Sequence, residues 1–132
     1  MLAGELAGHE GVCSGFVVMP DHVHAIVWFP VPKRLSRFMK QWKQKSSVKL
    51  KKFLRGQLPQ YAGTFDTKQP VWQARYYPFN LYTEKKAEEK LDYMHFNPVR
   101  AGLVAQPCDW MWSSARFFEQ GKPVGVPLEW IF

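Results

Sequence analysis

The sequence predicts a single domain of mixed helix and strand. Its 132 residues are enough for one hydrophobic core and too few for two. Two short β-type runs flank a Pro-Asp turn, and two longer segments free of Gly and Pro follow them. Apolar residues make up 46% of the chain and aromatic residues 16%, which excludes a disordered chain. We therefore expect residues 1–132 to share one core.

The two β-type runs predict a hairpin. They are Phe16 to Met19 and His24 to Phe29, and Pro20-Asp21 supplies the turn between them. Residues two apart in an extended strand point to the same face, so His22 and His24 should project together. Such a pair is compatible with a structural hydrogen-bonded pair, with acid–base chemistry, or with two ligands of one metal ion.

Two helices should follow the hairpin. The first is predicted from about Leu35 to Leu54, with a break at Ser46-Ser47 as an alternative, on the helical spacing of Leu35, Phe38, Met39 and Trp42. The second is predicted from Thr83, a suitable N-cap, to about Asn97. Pro98 should end it, because the residue before a proline disfavours helical geometry.

The net charge of +7 is concentrated in one segment. Ten Lys or Arg and no acid lie between Lys33 and Arg55, with Trp42 among them. Like charges on one helix repel, so this run favours a polyanionic partner, and interleaved aromatic residues favour nucleic acid over a membrane surface. A solvated basic face is the alternative. The longest apolar stretch is too short to span a membrane, and the first residues do not resemble a secretory signal.

A second group of chemically capable residues lies on the predicted second helix. Tyr93 and Asn97 are four residues apart and therefore share a helix face. Taken alone, Tyr93 could be a half-buried core residue. Together with His22 and His24, however, Asn97 completes three neutral donors that suit Mg²⁺ or Mn²⁺, and Tyr93 becomes a candidate nucleophile toward a phosphodiester.

A zinc hydrolase is a weaker interpretation of the same histidines. It needs a third ligand of Cys, His or carboxylate type, and Asp21 and His95 are the poor candidates available. Cys13 and Cys108 have no CxxC spacing, so we expect free thiols without a functional role.

Four stretches resemble the REP-associated tyrosine transposases, within the larger HUH group of single-strand nucleases. In chain order they are MPDHVHAIV, VWQARYY, LDYMHFNPVRAGLV and DWMWSSARFF, and the likeness covers Phe16 to Phe118. The resemblance implies a ferredoxin-like α+β fold, whose antiparallel sheet has helices on one face and carries the histidines on a central strand. Family members carry a longer segment before the histidine motif, whereas fifteen residues precede Phe16 here, so we expect the sheet to lack its N-terminal strand and to leave an unpaired edge.

The resemblance also implies a reaction and its residues. Tyr93 would attack single-stranded DNA to form a 5′-phosphotyrosine, with His22, His24 and Asn97 holding Mg²⁺ or Mn²⁺. Repetitive extragenic palindromes folded as hairpins would be the DNA partner, in the bacterial cytoplasm at the nucleoid. A homodimer is compatible with this interpretation, and no membrane partner is expected.

Several basic and aromatic residues are candidates for DNA contacts, with the basic side chains holding phosphates and Trp42 stacking on bases. They are Arg37, Lys40, Trp42, Lys43, Lys49, Arg75 and Arg100. The alternative function is a truncated, catalytically inactive nucleic-acid-binding module that keeps this surface. Tyr76 and Tyr77 are rival candidates for the nucleophile.

Overall fold

The computed structural model describes residues 2–31, 33–57, 71–72, 76 and 78–132. Its elements in chain order are helix α1 (Leu2–Gly8), strands β1 (Val12–Val18) and β2 (Val23–Trp28), helices α2 (Arg34–Gln57) and α3 (Glu84–Arg100), a 3-10 turn (Pro107–Asp109) and helix α4 (Ala115–Gln120). This mixture confirms the predicted α+β class. In these ranges, we find no helix that combines the length and the apolar character needed to cross a bilayer.

Strands β1 and β2 form the predicted antiparallel hairpin. Val17 pairs with His24 and Val18 with Val23, and the Met19 amide donates to the His22 carbonyl at 2.8 Å across the Pro20-Asp21 tip. β1 is longer than the predicted run because the Val12–Gly15 stretch, weak in β-formers, still pairs with β2 through a bulge at Ser14.

Helix α3 packs on one face of the hairpin. Val17 and Ile26 from the strands and Leu91 and Met94 from the helix form one buried cluster. Gly15 permits this approach, because a Cβ at that position would lie 2.3 Å from Cδ1 of Leu91. The close contact between β1 and α3 therefore depends on a residue without a side chain.

The opposite face of the hairpin is covered by α1 and α2. Leu6, Cys13, Phe16 and Phe38 are buried there in a second cluster. Adjacent strand residues point to opposite faces, which places Phe16 in this cluster and Val17 in the first. Helices therefore cover both faces of the hairpin rather than one, within the predicted α+β class.

The position of the histidine strand also differs from the expectation. Within the described residues β2 pairs with β1 alone, whereas β1 also bridges to Ser113 and Leu128 on its other side. The strand with neighbours on both sides is therefore β1, and β2 is an edge strand in this part of the chain. Within the described residues, the expected central position of the histidine strand is therefore not observed.

Two expectations about the helices also need correction. Helix α3 continues through Pro98 to Arg100, because the amides of Ala101 and Gly102 bond to carbonyls of its last turn at 3.0 Å and close the helix beyond the proline. Helix α2 has no break at Ser46. The hydroxyl of Ser46 donates to the Trp42 carbonyl at 2.6 Å, which lets the serine remain within a continuous helix.

Candidate active site

The hairpin tip brings His22, His24 and Asn97 together. The two imidazole rings lie 4.8 Å apart between centroids, edge to face. His22 Nε2 lies 3.3 Å from the amide Nδ2 of Asn97, which belongs to α3. His24 and Ile26 share a face of β2, and Ile26 packs in the α3 cluster, so this face is turned toward α3; His22 lies just before the strand. Spacing on the strand and packing of α3 together produce the constellation.

Asp21 holds His22 from the other side, a contact that the sequence analysis did not assign. Its Oδ1 lies 2.6 Å from Nδ1 of His22. This hydrogen bond is the main cause that lowers the pKa of Asp21, so the carboxylate stays ionised. A proton on Nδ1 leaves a lone pair on Nε2, which faces Asn97. Asp21 thus orients His22 as a carboxylate orients a metal-binding histidine.

Tyr93 lies on the outward face of α3, one turn before Asn97. Its side chain is 56% exposed. The guanidinium of Arg100 stacks on the ring, with its carbon 3.9 Å from the ring centroid, and also donates a hydrogen bond to the Tyr93 carbonyl. The phenol therefore faces solvent while its ring is held by a cation.

Positive charge surrounds His24. Its pKa is lowered by burial first, and then by the charges of His22, Lys90 and Arg100. Lys90, Tyr93, Asn97 and Arg100 are spaced three, four and three residues apart and therefore share one face of α3. A neutral His24 keeps a nitrogen lone pair for a ligand, and the adjacent cations favour an incoming anion.

The donor set fits a divalent ion of the Mg²⁺ or Mn²⁺ type better than zinc. Two imidazole nitrogens meet one amide group, and a half-turn of that amide presents Oδ1 of Asn97 to His22. Among the described residues no group of three or more His, Cys, Asp or Glu side chains could hold a metal ion. The candidate zinc ligands do not help, because Asp21 bonds Nδ1 of His22 and His95 lies elsewhere.

His95 lies in the core, away from the histidine pair. It is 6% exposed, and its Nε2 lies 2.7 Å from the hydroxyl of Ser114. The same hydroxyl accepts the Phe16 amide at 3.0 Å. Burial lowers the pKa of His95. This histidine therefore joins α3 to β1 and has no place in the candidate site.

The predicted DNA contacts on α2 lie outside the constellation just described. Arg37, Lys40 and Lys49 are exposed, as the basic surface requires. Trp42 is half-buried, with Phe38 stacked at 5.9 Å and Trp72 at 5.4 Å, so packing accounts for its ring and its role in base stacking stays a prediction. The Lys43 ammonium lies over the Tyr76 ring at 5.6 Å.

The structure describes only some of the candidates in the VWQARYY stretch. The Tyr76 hydroxyl is 3.1 Å from the Ser36 hydroxyl on α2, which engages this rival nucleophile with the basic helix. Arg75 and Tyr77 lie outside the described residues, so their predicted roles stay predictions.

A comparison of sequences decides the family. Residues 9–96, more than half of the chain, match the family model described as "Transposase IS200 like". The chain belongs to this family of IS200-like transposases. The matched range contains His22, His24 and Tyr93 and ends immediately before Asn97. The matched range therefore includes the hairpin and most of α3.

Two curated relatives confirm the resemblance seen in the motifs. The REP-associated tyrosine transposase of Escherichia coli K12 is 27% identical over 118 residues, covering 89% of this chain and 61% of the relative. A similarly described relative from Haemophilus influenzae is 25% identical over 119 residues, covering 86% of this chain and 62% of the relative. The chain thus spans about three fifths of the length of both relatives.

A solved structure shares the fold of the chain. It is a REP-associated tyrosine transposase bound to a REP hairpin, with a TM-score of 0.61 and 20% sequence identity. The similarity covers 97% of this chain and 70% of that one. At this identity the comparison supports the α+β fold, and the chemistry has to be argued from the side chains of this chain.

Proposed function

We propose that this chain cleaves and rejoins single-stranded DNA through Tyr93, beside a divalent metal ion held by His22, His24 and Asn97. The contact between His22 and Asn97 carries the proposal, because it joins the histidine hairpin to the helix turn that follows Tyr93. Family membership supports a DNA transposition reaction. The hairpin-bound relative supports a folded single strand as the substrate.

The reaction that fits these residues is transfer of a phosphodiester to the phenol. The Tyr93 oxygen attacks phosphorus and forms a new P–O bond while the bond to the 3′ oxygen breaks. The phenol loses its proton and the departing 3′ oxygen gains one, so the products are a 5′-phosphotyrosine and a free 3′-hydroxyl. Attack by a 3′-hydroxyl on the phosphotyrosine reverses the step and joins strands.

The metal ion, when bound, supplies Lewis-acid polarisation of a phosphoryl oxygen. His22, His24 and Asn97 carry no charge as ligands, so they would leave the charge of a dication available to the phosphate. Asp21 keeps the lone pair of His22 on Nε2 through its bond to Nδ1. Arg100 restricts the Tyr93 ring and adds positive charge beside it.

A covalent adduct with DNA tests the proposal. The chain is incubated with a labelled DNA hairpin carrying a single-stranded tail and Mg²⁺ or Mn²⁺, and the products are separated under denaturing conditions. We expect an adduct for the parent and for Tyr82→Phe, whose side chain is 87% exposed and lies just before α3. Tyr93→Phe and addition of a chelator should each abolish it. Adduct from Tyr93→Phe at the parental level would refute the nucleophile.

The same assay separates the two remaining alternatives. Loss of adduct in Tyr76→Phe with retention in Tyr93→Phe would move the chemistry to the segment next to α2. DNA binding that survives chelation, with no adduct from any variant, would instead identify the chain as a binding module. Binding alone falls with salt in both cases, so it does not distinguish them.

A further inference from the structure

An exposed aromatic ring lies beside the candidate site with no role in the chemistry. Phe79 is 67% exposed, although phenylalanine side chains are usually buried. The ammonium of Lys90 sits over one face of its ring, 4.4 Å from the centroid, so a base can stack only on the opposite face. Lys90 also shares the α3 face of Tyr93 and lies close enough to His24 for its charge to act there. Phe79 and Lys90 together therefore extend the positive face of α3 beyond Tyr93.

The backbone that follows Phe79 is fixed at two points. Leu81, two residues later, packs against the buried cluster beneath α3. Thr83 then caps α3, accepting a hydrogen bond from the Lys86 amide at 3.2 Å. Phe79 thus lies just before two fixed points of the backbone. A backbone fixed next to the ring lowers the entropy cost of ordering Phe79 against a ligand.

The neighbouring charges indicate what the ring receives. Glu89, four residues before Tyr93 on α3, pairs with Lys86 at 3.3 Å. Lys90 and Arg100 therefore flank Tyr93 as cations on the face that Asn97 shares. A cation next to an exposed aromatic ring is the combination that binds single-stranded nucleic acid, with the cation holding a phosphate and the ring stacking on a base.

We propose that Phe79 and Lys90 form a nucleotide subsite for the single strand that runs to Tyr93, in which one base stacks on Phe79 and its phosphate binds Lys90. The inference deepens the proposed function and rests on it for the identity of the strand. Recognition is of base surface and phosphate charge, so this subsite discriminates single strands from duplexes and does not select a base sequence.

The subsite is tested by binding in the absence of catalysis. Every variant carries Tyr93→Phe and is assayed in chelator, with oligothymidine and with an abasic oligomer of equal length as the two probes. Phe79→Ala should bind oligothymidine about five- to tenfold more weakly and the abasic oligomer equally well. Phe79→Trp should restore the affinity. Trp112→Ala, which removes a ring of similar exposure at 58%, is the matched control and should leave both affinities unchanged.

Lys90→Ala provides the second arm. It should weaken binding of both probes and reduce the slope of log affinity against log salt by about 0.7, the loss of one phosphate contact on a single strand. Lys122→Ala is its control on the exposed segment after α4. Equal weakening of both probes by Phe79→Ala, or an unchanged salt slope in Lys90→Ala, would overturn the subsite.

Failure of the subsite and failure of the proposed chemistry give different results. If the parent chain forms the DNA adduct and both Phe79→Ala and Lys90→Ala bind DNA normally, the subsite is refuted and the proposed nuclease activity stands. If the parent chain forms no adduct but Phe79→Ala loses affinity for oligothymidine alone, the subsite stands and the proposed nuclease activity is refuted.

Discussion

The face of the hairpin that α2 covers differs from the hairpin tip. Phe16 and Phe38 on the α2 face are nearly inaccessible, at 4% and 2% exposure. At the hairpin tip, by contrast, the side chain of His22 is 43% exposed and that of Asp21 85%. The α2 face around Phe16 and Phe38, here the closed region, is built from apolar contacts. The hairpin tip around Asp21 and His22, here the open region, is built from hydrogen bonds and charge. Stability and chemistry are therefore carried by different residues and should respond separately to mutation.

The largest difference between an effect on stability and an effect on activity is expected between Phe38→Ala and Tyr93→Ala. Phe38 packs against Phe29 and Trp42, so its removal leaves a cavity and should lower the free energy of unfolding by about 3–5 kcal/mol. Tyr93 is exposed, and its loss should cost less than about 1 kcal/mol while abolishing the DNA adduct. Denaturant unfolding and the adduct assay measure the two effects. Comparable destabilisation by both variants would contradict the contrast.

Asp21→Asn tests the open region alone. The variant weakens the bond to Nδ1 of His22 and lets the imidazole adopt the other tautomer. Loss of such a supporting carboxylate should reduce metal affinity about 10- to 100-fold. Isothermal titration with Mn²⁺ measures the affinity, and Asp92→Asn, an exposed carboxylate on α3, is the control. A normal affinity in Asp21→Asn would show that the bond to Asp21 does not orient His22.

The pH dependence of stability reports on a buried histidine between the two regions. Burial lowers the pKa of His95 below its usual 6.5, so below that pH the unfolded chain binds a proton that the folded chain excludes. Stability should therefore be full above about pH 6.5 and fall as the pH decreases through this value. His95→Gln should flatten the dependence of the unfolding midpoint on pH. His24, whose pKa is also lowered, contributes in the same direction.

The smallest effect is expected for ion pairs at the surface of the closed region. Lys45 pairs with Glu5 at 2.7 Å and links α2 to α1; the Lys45 side chain is 56% exposed, and the less exposed Glu5 carboxylate keeps His9 as a second neighbour at 3.8 Å. Lys45→Ala should lower the free energy of unfolding by less than about 1 kcal/mol and leave the adduct unchanged. A change in the melting temperature comparable with that of Phe38→Ala would show that this pair supports the core.

Local periodicity predicted much of this arrangement. The two-residue spacing of His22 and His24 and the four-residue spacing of Tyr93 and Asn97 each indicated a shared face, because such rules act within one element. The meeting of the two pairs was a hypothesis from their combined chemistry, and the structure brings His22 to Asn97. Their roles as ligands and nucleophile stay predictions.

Contacts between elements were the part that the sequence did not reveal. No spacing rule connects Phe79 to Lys90 or Asp21 to the tautomer of His22, since both depend on how a loop is placed against a helix or a ring. The end of α3 was misplaced for a related reason. Pro98 removes one donor, but amides beyond it satisfy carbonyls of the final turn, and this compensation is visible only in three dimensions.

The bond between His95 and Ser114 has a consequence for the angular setting of α3. Ser114 is fixed to the backbone of Phe16, so its bond to His95 adds a polar contact to the apolar packing that sets which side of the helix turns inward. Tyr93 precedes His95 by two positions, or about 200° around the helix, and is thereby directed outward. A serine in the chain beyond α3 thus helps the buried Leu91 and Met94 to set the direction in which the phenol points.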